Sequence, residues 1–207
     1  MLNTCRTIPT SYQHLASSAE FRVPFQPSQS LRLGNMAIIR ILQYPDPRLN
    51  TKAERVEVFD AALHQIIDDM FETHYNTENC AALAATQLDF KHPKAITVID
   101  FSPNKDQPLC LVNPEVVWRS EELLDEAEGC MSVPGGIYET VGRALKIKVK
   151  AQDRHGKFFE MDVEGFMAKC MQHEIDHLNG KIFIDYLSKL KRQRVDKRIS
   201  KQSRWRS

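Results

Sequence analysis

His173-Glu174-Ile175-Asp176-His177 sets two imidazoles four residues apart, with a carboxylate beside the first. On a helix, residues i and i+4 share one face about one turn apart, so both rings can grip a single ion. Glu174 then stands where it can act on a water at that ion. The flanking pattern argues against a polar surface helix. Phe166, Cys170 and His173 fall at i, i+4 and i+7, so the histidines continue an apolar stripe. Unpaired imidazoles there would need partners.

A catalytic metal usually takes three protein ligands and keeps one position for water. One metallopeptidase pattern continues H-E-x-x-H-x-x-G-x-x-H; Gly180 fits it, but Phe183 occupies the last position. Another class places a glutamate farther downstream, yet the acids after His177 are Asp185 and Asp196. The third ligand is therefore sought upstream. Cys130, in Glu128-Gly129-Cys130-Met131-Ser132, is the candidate. A thiolate binds Fe, Zn or Co well, and Gly129 allows a close backbone approach.

The elements that must position these residues are partly periodic. Leu63, Ile66, Ile67, Met70 and Phe71 recur at helical spacing, with Asp60 as N-cap. A second helix, carrying the histidines, is predicted over about 164–178 and ends at Asn179-Gly180. Short β-like runs occupy 95–99, 109–112 and 116–118. Leu145, Ile147, Val149 and Ala151 alternate with Lys146, Lys148, Lys150 and Gln152, a half-buried strand. His155-Gly156 turns the chain and 158–163 returns as its partner. No repeat appears, and there is no βαβ alternation, which indicates an α+β fold.

A chain of 207 residues, 42% hydrophobic, suffices for one domain with a core and little more. No apolar run approaches the roughly 18 residues of a membrane span. Cys5, Cys80, Cys110, Cys130 and Cys170 are odd in number and scattered, so reduced thiols in a cytoplasm are expected rather than a disulfide framework. Residues 1–35 are rich in Ser, Thr, Pro and Gln and read as a disordered extension. Arg6, Arg22 and Arg32 also fit an organelle transit peptide, but a true start at Met36 is the preferred reading. The expected division is extension 1–35, catalytic domain 36–187, and a basic, partly helical tail 188–207.

Charge is unevenly spread. Residues 188–207 carry +8 and residues 1–35 carry +2; with +1 overall, the segment between carries −9. A basic tail on an acidic body suggests an anionic partner for the tail, or else a solvated terminus.

Three stretches together resemble the peptide deformylase family. Its E-G-C-[LM]-S motif matches Glu128 to Ser132, and its H-E-x-D-H motif matches His173 to His177. Its G-x-G-[LI]-A-A-x-Q motif matches Cys80-Ala81-Ala82-Leu83-Ala84-Ala85-Thr86-Gln87 in part. Ile41 to Leu49 also looks like the family's opening strand and turn, so the resemblance runs from about Met36 to about Arg194. It implies antiparallel sheets packed around the histidine-bearing helix. It implies Cys130, His173 and His177 as ligands of one divalent metal, usually Fe(II), with Zn, Ni or Co as substitutes. Glu174 would be the general base; the Gln87 amide and the Met131 N–H would bind the oxyanion. Ala82, Leu83 and Gly129 would border the peptide, with Phe166 and Cys170 around its methionine side chain. Cys80 and Ala82 stand where the family usually has glycines, so a methyl and a thiol are added near that groove.

The activity implied is removal of the formyl group from the formyl-methionine of new polypeptides. Partners would be nascent peptides and, through the basic tail, the ribosome; neither DNA nor a membrane is expected. The tail would begin as a helix with Leu190, Val195 and Ile199 as its few apolar residues. Two rivals remain at this point. A metallopeptidase would cut unblocked peptides. A non-catalytic ribosome-bound paralogue would close its metal site with a fourth ligand, for which Cys170 is the nearby spare.

Overall fold

The apolar stripe predicted from Leu63 onward forms helix α1 (Ala61–Tyr75). Asp60 caps it, its side chain accepting a hydrogen bond from Leu63 N at 3.0 Å. Leu63, Ile67, Met70 and Phe71 are buried against Leu83, Ile96, Val98 and Val112. Each such side chain contributes about 1.5–3 kcal/mol on burial. This computed structural model describes residues 37–203. The expected extension 1–35 and the start at Met36 lie outside the described residues, as does the end of the tail.

The strands are β1 (Ala82–Ala84), β2 (Ile96–Ile99), β3 (Leu109–Arg119), β4 (Leu123–Glu128), β5 (Glu139–Ala144), β6 (Lys146–Gln152) and β7 (Phe158–Glu164). Five make an antiparallel sheet in the order β1-β2-β3-β6-β7, and β4 pairs with β5 as a separate two-stranded unit. The alternation predicted for β6 holds: Ile147, Val149 and Ala151 are buried, while Lys146 and Lys150 are exposed. Gly156 turns the chain into β7 with φ +86°. The two runs at 109–112 and 116–118 are one strand, whose register shifts between Val112 and Glu115. Asn113 sits at that irregularity with φ +51°, and its side chain bonds both the N–H and the C=O of Val56. The β4–β5 pair was not expected. Leu-Leu-Asp-Glu-Ala-Glu is half acidic and buries only Glu128, so its strand character comes from pairing rather than from an apolar buried face.

Helix α2 (Gly165–Leu178) packs against β1, β2, β3, β5, β6 and β7. It is the central helix predicted, and the α+β class holds. Ten of its fourteen residues are buried, from Ala168 to Ile175 plus His177 and Leu178. Gly180, with φ +72°, ends it; a Cβ there would meet Asn50 O at 2.5 Å.

Helix α3 (Lys189–Ser203) forms most of the expected tail. It is docked on the body. Val195 and Ile199 are buried with Leu49, Val133, Ile182 and Phe183, whereas Leu190 is 59% exposed. Tyr44 Oη donates to Asp196 Oδ1 at 2.9 Å, and Arg192 pairs with Asp185 at 2.8 Å. Among the described residues no helix is long and apolar enough to cross a membrane.

Candidate active site

Three donor atoms converge between α2 and the loop after β4. Cys130 Sγ lies 3.2 Å from His177 Nε2, and His177 Nε2 lies 3.2 Å from His173 Nε2. All three ligand atoms fall within 4.8 Å of one another. Tetrahedral bonds of roughly 2.0–2.3 Å would hold such atoms about 3.3–3.6 Å apart, so the set fits one metal ion with little movement. The chemistry of the set, a thiolate with two imidazoles, suits Fe, Zn, Ni or Co.

The supports of these donor atoms are as specific as the donors. Glu128 Oε2 lies 2.8 Å from His173 Nδ1, leaving Nε2 for the centre. Arg143 holds the same carboxylate through Nε at 2.6 Å and Nη2 at 3.0 Å. Burial alone would raise the Glu128 carboxyl, but His173 and Arg143 outweigh it and hold it down at about 2. Arg143 also donates to Asp176, which accepts from Tyr186 Oη at 2.8 Å. The Arg143 guanidinium sits 4.7 Å from the Tyr186 ring centroid. Thr86 Oγ1 donates to His177 O at 2.8 Å, tying α2 to the short turn Ala85–Gln87. Burial and the neighbouring His173 push His177 well below the ordinary imidazole value, so it is neutral with a lone pair to offer.

Glu174 is 4% exposed, and its Oε2 has no hydrogen-bond partner. Burial pushes its carboxyl up to about 7. A buried carboxylate oxygen without a partner is costly unless a cation or a reacting group completes it. Gln87 is also placed: its Oε1 accepts from Ala84 N at 2.8 Å, which turns the amide NH2 toward Cys130 Sγ and Ser132 Oγ, each at 3.3 Å. Met131 follows Cys130 in the same loop, where Gln43 Nε2 donates to its carbonyl at 3.0 Å. The structure thus brings Cys130, His173, His177, Glu174, Gln87 and Met131 to one place.

The residues expected along the peptide are divided. Ala82 and Cys170 are buried in one cluster beside α2. Phe166 is half-buried and meets Phe101 edge to face at 5.1 Å. Gly129 lies under the Tyr138 ring; a Cβ there would fall 2.5 Å from Tyr138 Cε1, so the requirement is for closeness. The Leu83 side chain is fully buried toward α1, so only its backbone can face a peptide. Neither Cys80 nor Ala82 has positive φ, so this backbone does not need glycine at either position. The Cys80 thiol is buried and donates to Ala82 O at 3.3 Å.

Sequence reasoning did not assign Glu128, Arg143, Asp176 or Tyr186 a role. Glu128 and Asp176 lie inside the two motifs, and their acidity beside candidate ligands was a usable signal. Nothing local marks Arg143 or Tyr186.

Comparison with known proteins agrees with this geometry. The polypeptide deformylase family model matches residues 38–193. A peptide deformylase 1 of Coxiella burnetii is 67% identical over 167 residues, 81% of this chain and 98% of that protein. A peptide deformylase of Pseudomonas aeruginosa is 52% identical over 169 residues, covering 82% and 98%. The crystal structure of a peptide deformylase from Legionella pneumophila superposes with a TM-score of 0.75 at 45% identity, covering 82% of this chain and 98% of that one. An Ehrlichia chaffeensis peptide deformylase in complex with actinonin gives 0.74 at 36%, covering 82% and 99%. With this family model matched across most of its length, and a buried thiol–imidazole cluster at the matching motifs, the chain belongs to the polypeptide deformylase family.

Proposed function

We propose that this chain removes the formyl group from the N-terminal formyl-methionine of newly made polypeptides, using one divalent metal held by Cys130, His173 and His177. The observation that carries the reading is the convergence of those three donor atoms beside a buried Glu174 oxygen that has no partner. When bound, the metal acidifies water and polarises a carbonyl oxygen. Glu174 takes the proton of the attacking water. The water oxygen bonds to the formyl carbon, and negative charge moves to the formyl oxygen. The Gln87 amide and the Met131 backbone N–H donate to that oxygen; losing one such donor costs about 100- to 1,000-fold in rate. Glu174 then gives its proton to the departing amine nitrogen, the C–N bond breaks, and formate leaves a free N-terminus. β1 is an edge strand, so an extended peptide can lie along it with its methionine side chain toward Phe166 and Cys170.

Release of formate from formyl-Met-Ala, with no cleavage of an unblocked Met-Ala peptide, is the expected result. Cleavage of the unblocked peptide would make the chain a metallopeptidase.

Fe(II) is the metal assigned, with Zn, Ni and Co as substitutes; metal analysis of protein purified without oxygen tests this. The cytoplasm is the compartment assigned, which the free thiols Cys80, Cys110, Cys130 and Cys170 favour. We assign the ribosome as the anionic partner of α3, whose exposed Arg194, Lys197 and Lys201 recur at i, i+3 and i+7.

A further inference from the structure

Lys169 is a lysine inside the protein. Its side chain is 8% exposed. Ammonium groups are rarely taken out of water unless they are paired. Here Nζ donates to Ala127 O at 2.8 Å and lies 3.1 Å from Glu126 Oε2, with the Phe166 ring centroid 6.0 Å away. Glu126 and Ala127 belong to β4, the strand that runs through Glu128 into Gly129 and Cys130. Lys169 belongs to α2, one turn before His173.

The two halves of the metal site come from these two elements. Cys130 arrives from β4, and His173 and His177 from α2. Glu128–His173, at 2.8 Å, is one cross-link between them. The bonds from Lys169 to Ala127 and Glu126 are a second, one helical turn and one strand residue farther from the metal. α2 is already held to β5 by Gln172 and by Arg143, so what the Lys169 cross-link adds is a second tie to β4 itself. Two spaced along both elements fix the angle as well as the distance. No step assigned above uses Lys169.

We propose that Lys169 is a positioning residue for the metal centre, its ammonium clamping the histidine-bearing helix to the strand that delivers Cys130. The inference rests on the metal reading of Cys130, His173 and His177. It is separable from plain stability, because Glu126 is 32% exposed and turns to water when Lys169 is replaced, so no buried charge is left unpaired. Lys169→Met therefore keeps the packing and removes only the clamp.

The test is the rate at which full-length, cobalt-loaded protein loses Co(II) to excess chelator, followed by the thiolate–cobalt absorption. Lys169→Met should lose cobalt about tenfold faster than wild type, at the low end for residues that orient metal ligands. The melting temperature of the metal-free protein should stay unchanged. Lys169→Arg keeps the charge and N–H donors and should restore part of the retention. Equal cobalt loss by Lys169→Met and wild type overturns the proposal. So does faster loss accompanied by a matching drop in metal-free melting temperature, which assigns Lys169 to stability alone. If Lys169→Met does not fold, Glu126→Ala decides, since that side chain is 32% exposed and its removal takes away the carboxylate that pairs with Lys169. Faster loss then supports the clamp, and unchanged loss overturns it. A wild-type protein that holds no cobalt refutes the metal reading and the clamp together, an outcome distinct from retention that is equal in all variants.

Discussion

Arg143 grips Glu128 through two nitrogens, at 2.6 and 3.0 Å, and that carboxylate in turn faces His173 Nδ1 at 2.8 Å. The guanidinium therefore acts on the Cys130–His173–His177 cluster through one intervening side chain, and its own side chain is only 5% exposed. Glu128 is 3% exposed, so neither charge has water to fall back on.

Arg143→Leu should therefore be one of the most damaging substitutions outside the ligand set. It leaves Glu128 buried without its two-nitrogen counter-charge. Breaking such a pair costs about 3–5 kcal/mol. Urea unfolding would measure that loss. Metal affinity should also fall about 10- to 100-fold as His173 loses its fixed orientation. A stability change below about 1 kcal/mol would show that the carboxylate is held by other means.

Glu174→Gln should keep the metal and lose most deformylase activity. The amide preserves shape but cannot accept a proton. Metal content by elemental analysis should match wild type, while formate release from formyl-Met-Ala falls by at least about 100-fold, the usual scale for a lost general base. Turnover within a few-fold of wild type would remove Glu174 from that role.

Cys130→Ser should weaken metal binding more than it weakens the fold. A serine hydroxyl is a poor ligand for a soft divalent ion. Chelation should lower the melting temperature of the wild type, because metal binding stabilises only the folded state. The same chelator should leave Cys130→Ser nearly unchanged. An equal drop in both proteins would mean that Cys130 does not hold the metal.

The buried and exposed faces of α3 should separate two functions. Val195→Asp places a charge in the cluster of Leu49, Ile182 and Phe183 and should destabilise the whole domain by several kcal/mol, seen as a lower melting temperature. Deleting α3 would do the same, so truncation cannot report on binding alone. Reversing the charge of Arg194, Lys197 and Lys201 together leaves the buried face intact. Turnover of short formyl peptides should then be normal, while co-sedimentation with ribosomes falls, most visibly at low salt. Equal sedimentation of variant and wild type at low salt would reduce the basic face to a solvated surface.

Much of this protein could be read from local sequence, and the reason is geometric. His173 and His177 share a helical face because i and i+4 always do, and the apolar residues before them show which way that face points. The alternation of Ile147, Val149 and Ala151 with lysines is likewise a local property of a pleated strand with one buried face. Short motifs also identified Cys130 and Gln87, by resemblance to a family.

What the tertiary structure decided lies between residues far apart in the chain. Arg143 and Tyr186 carry no local mark, yet they meet at Asp176 because β5 and the turn after α2 pack together. Nothing local gives Lys169 a partner; β4 supplies Ala127 O and Glu126. The basic C-terminal segment has too few apolar residues to show an inward face by periodicity. Val195 and Ile199 are buried because Leu49, Val133 and Phe183, distant in sequence, leave a surface for them to cover. Charge and period are properties of a segment alone, whereas burial and pairing belong to two segments at once, so they exist only after the chain has folded.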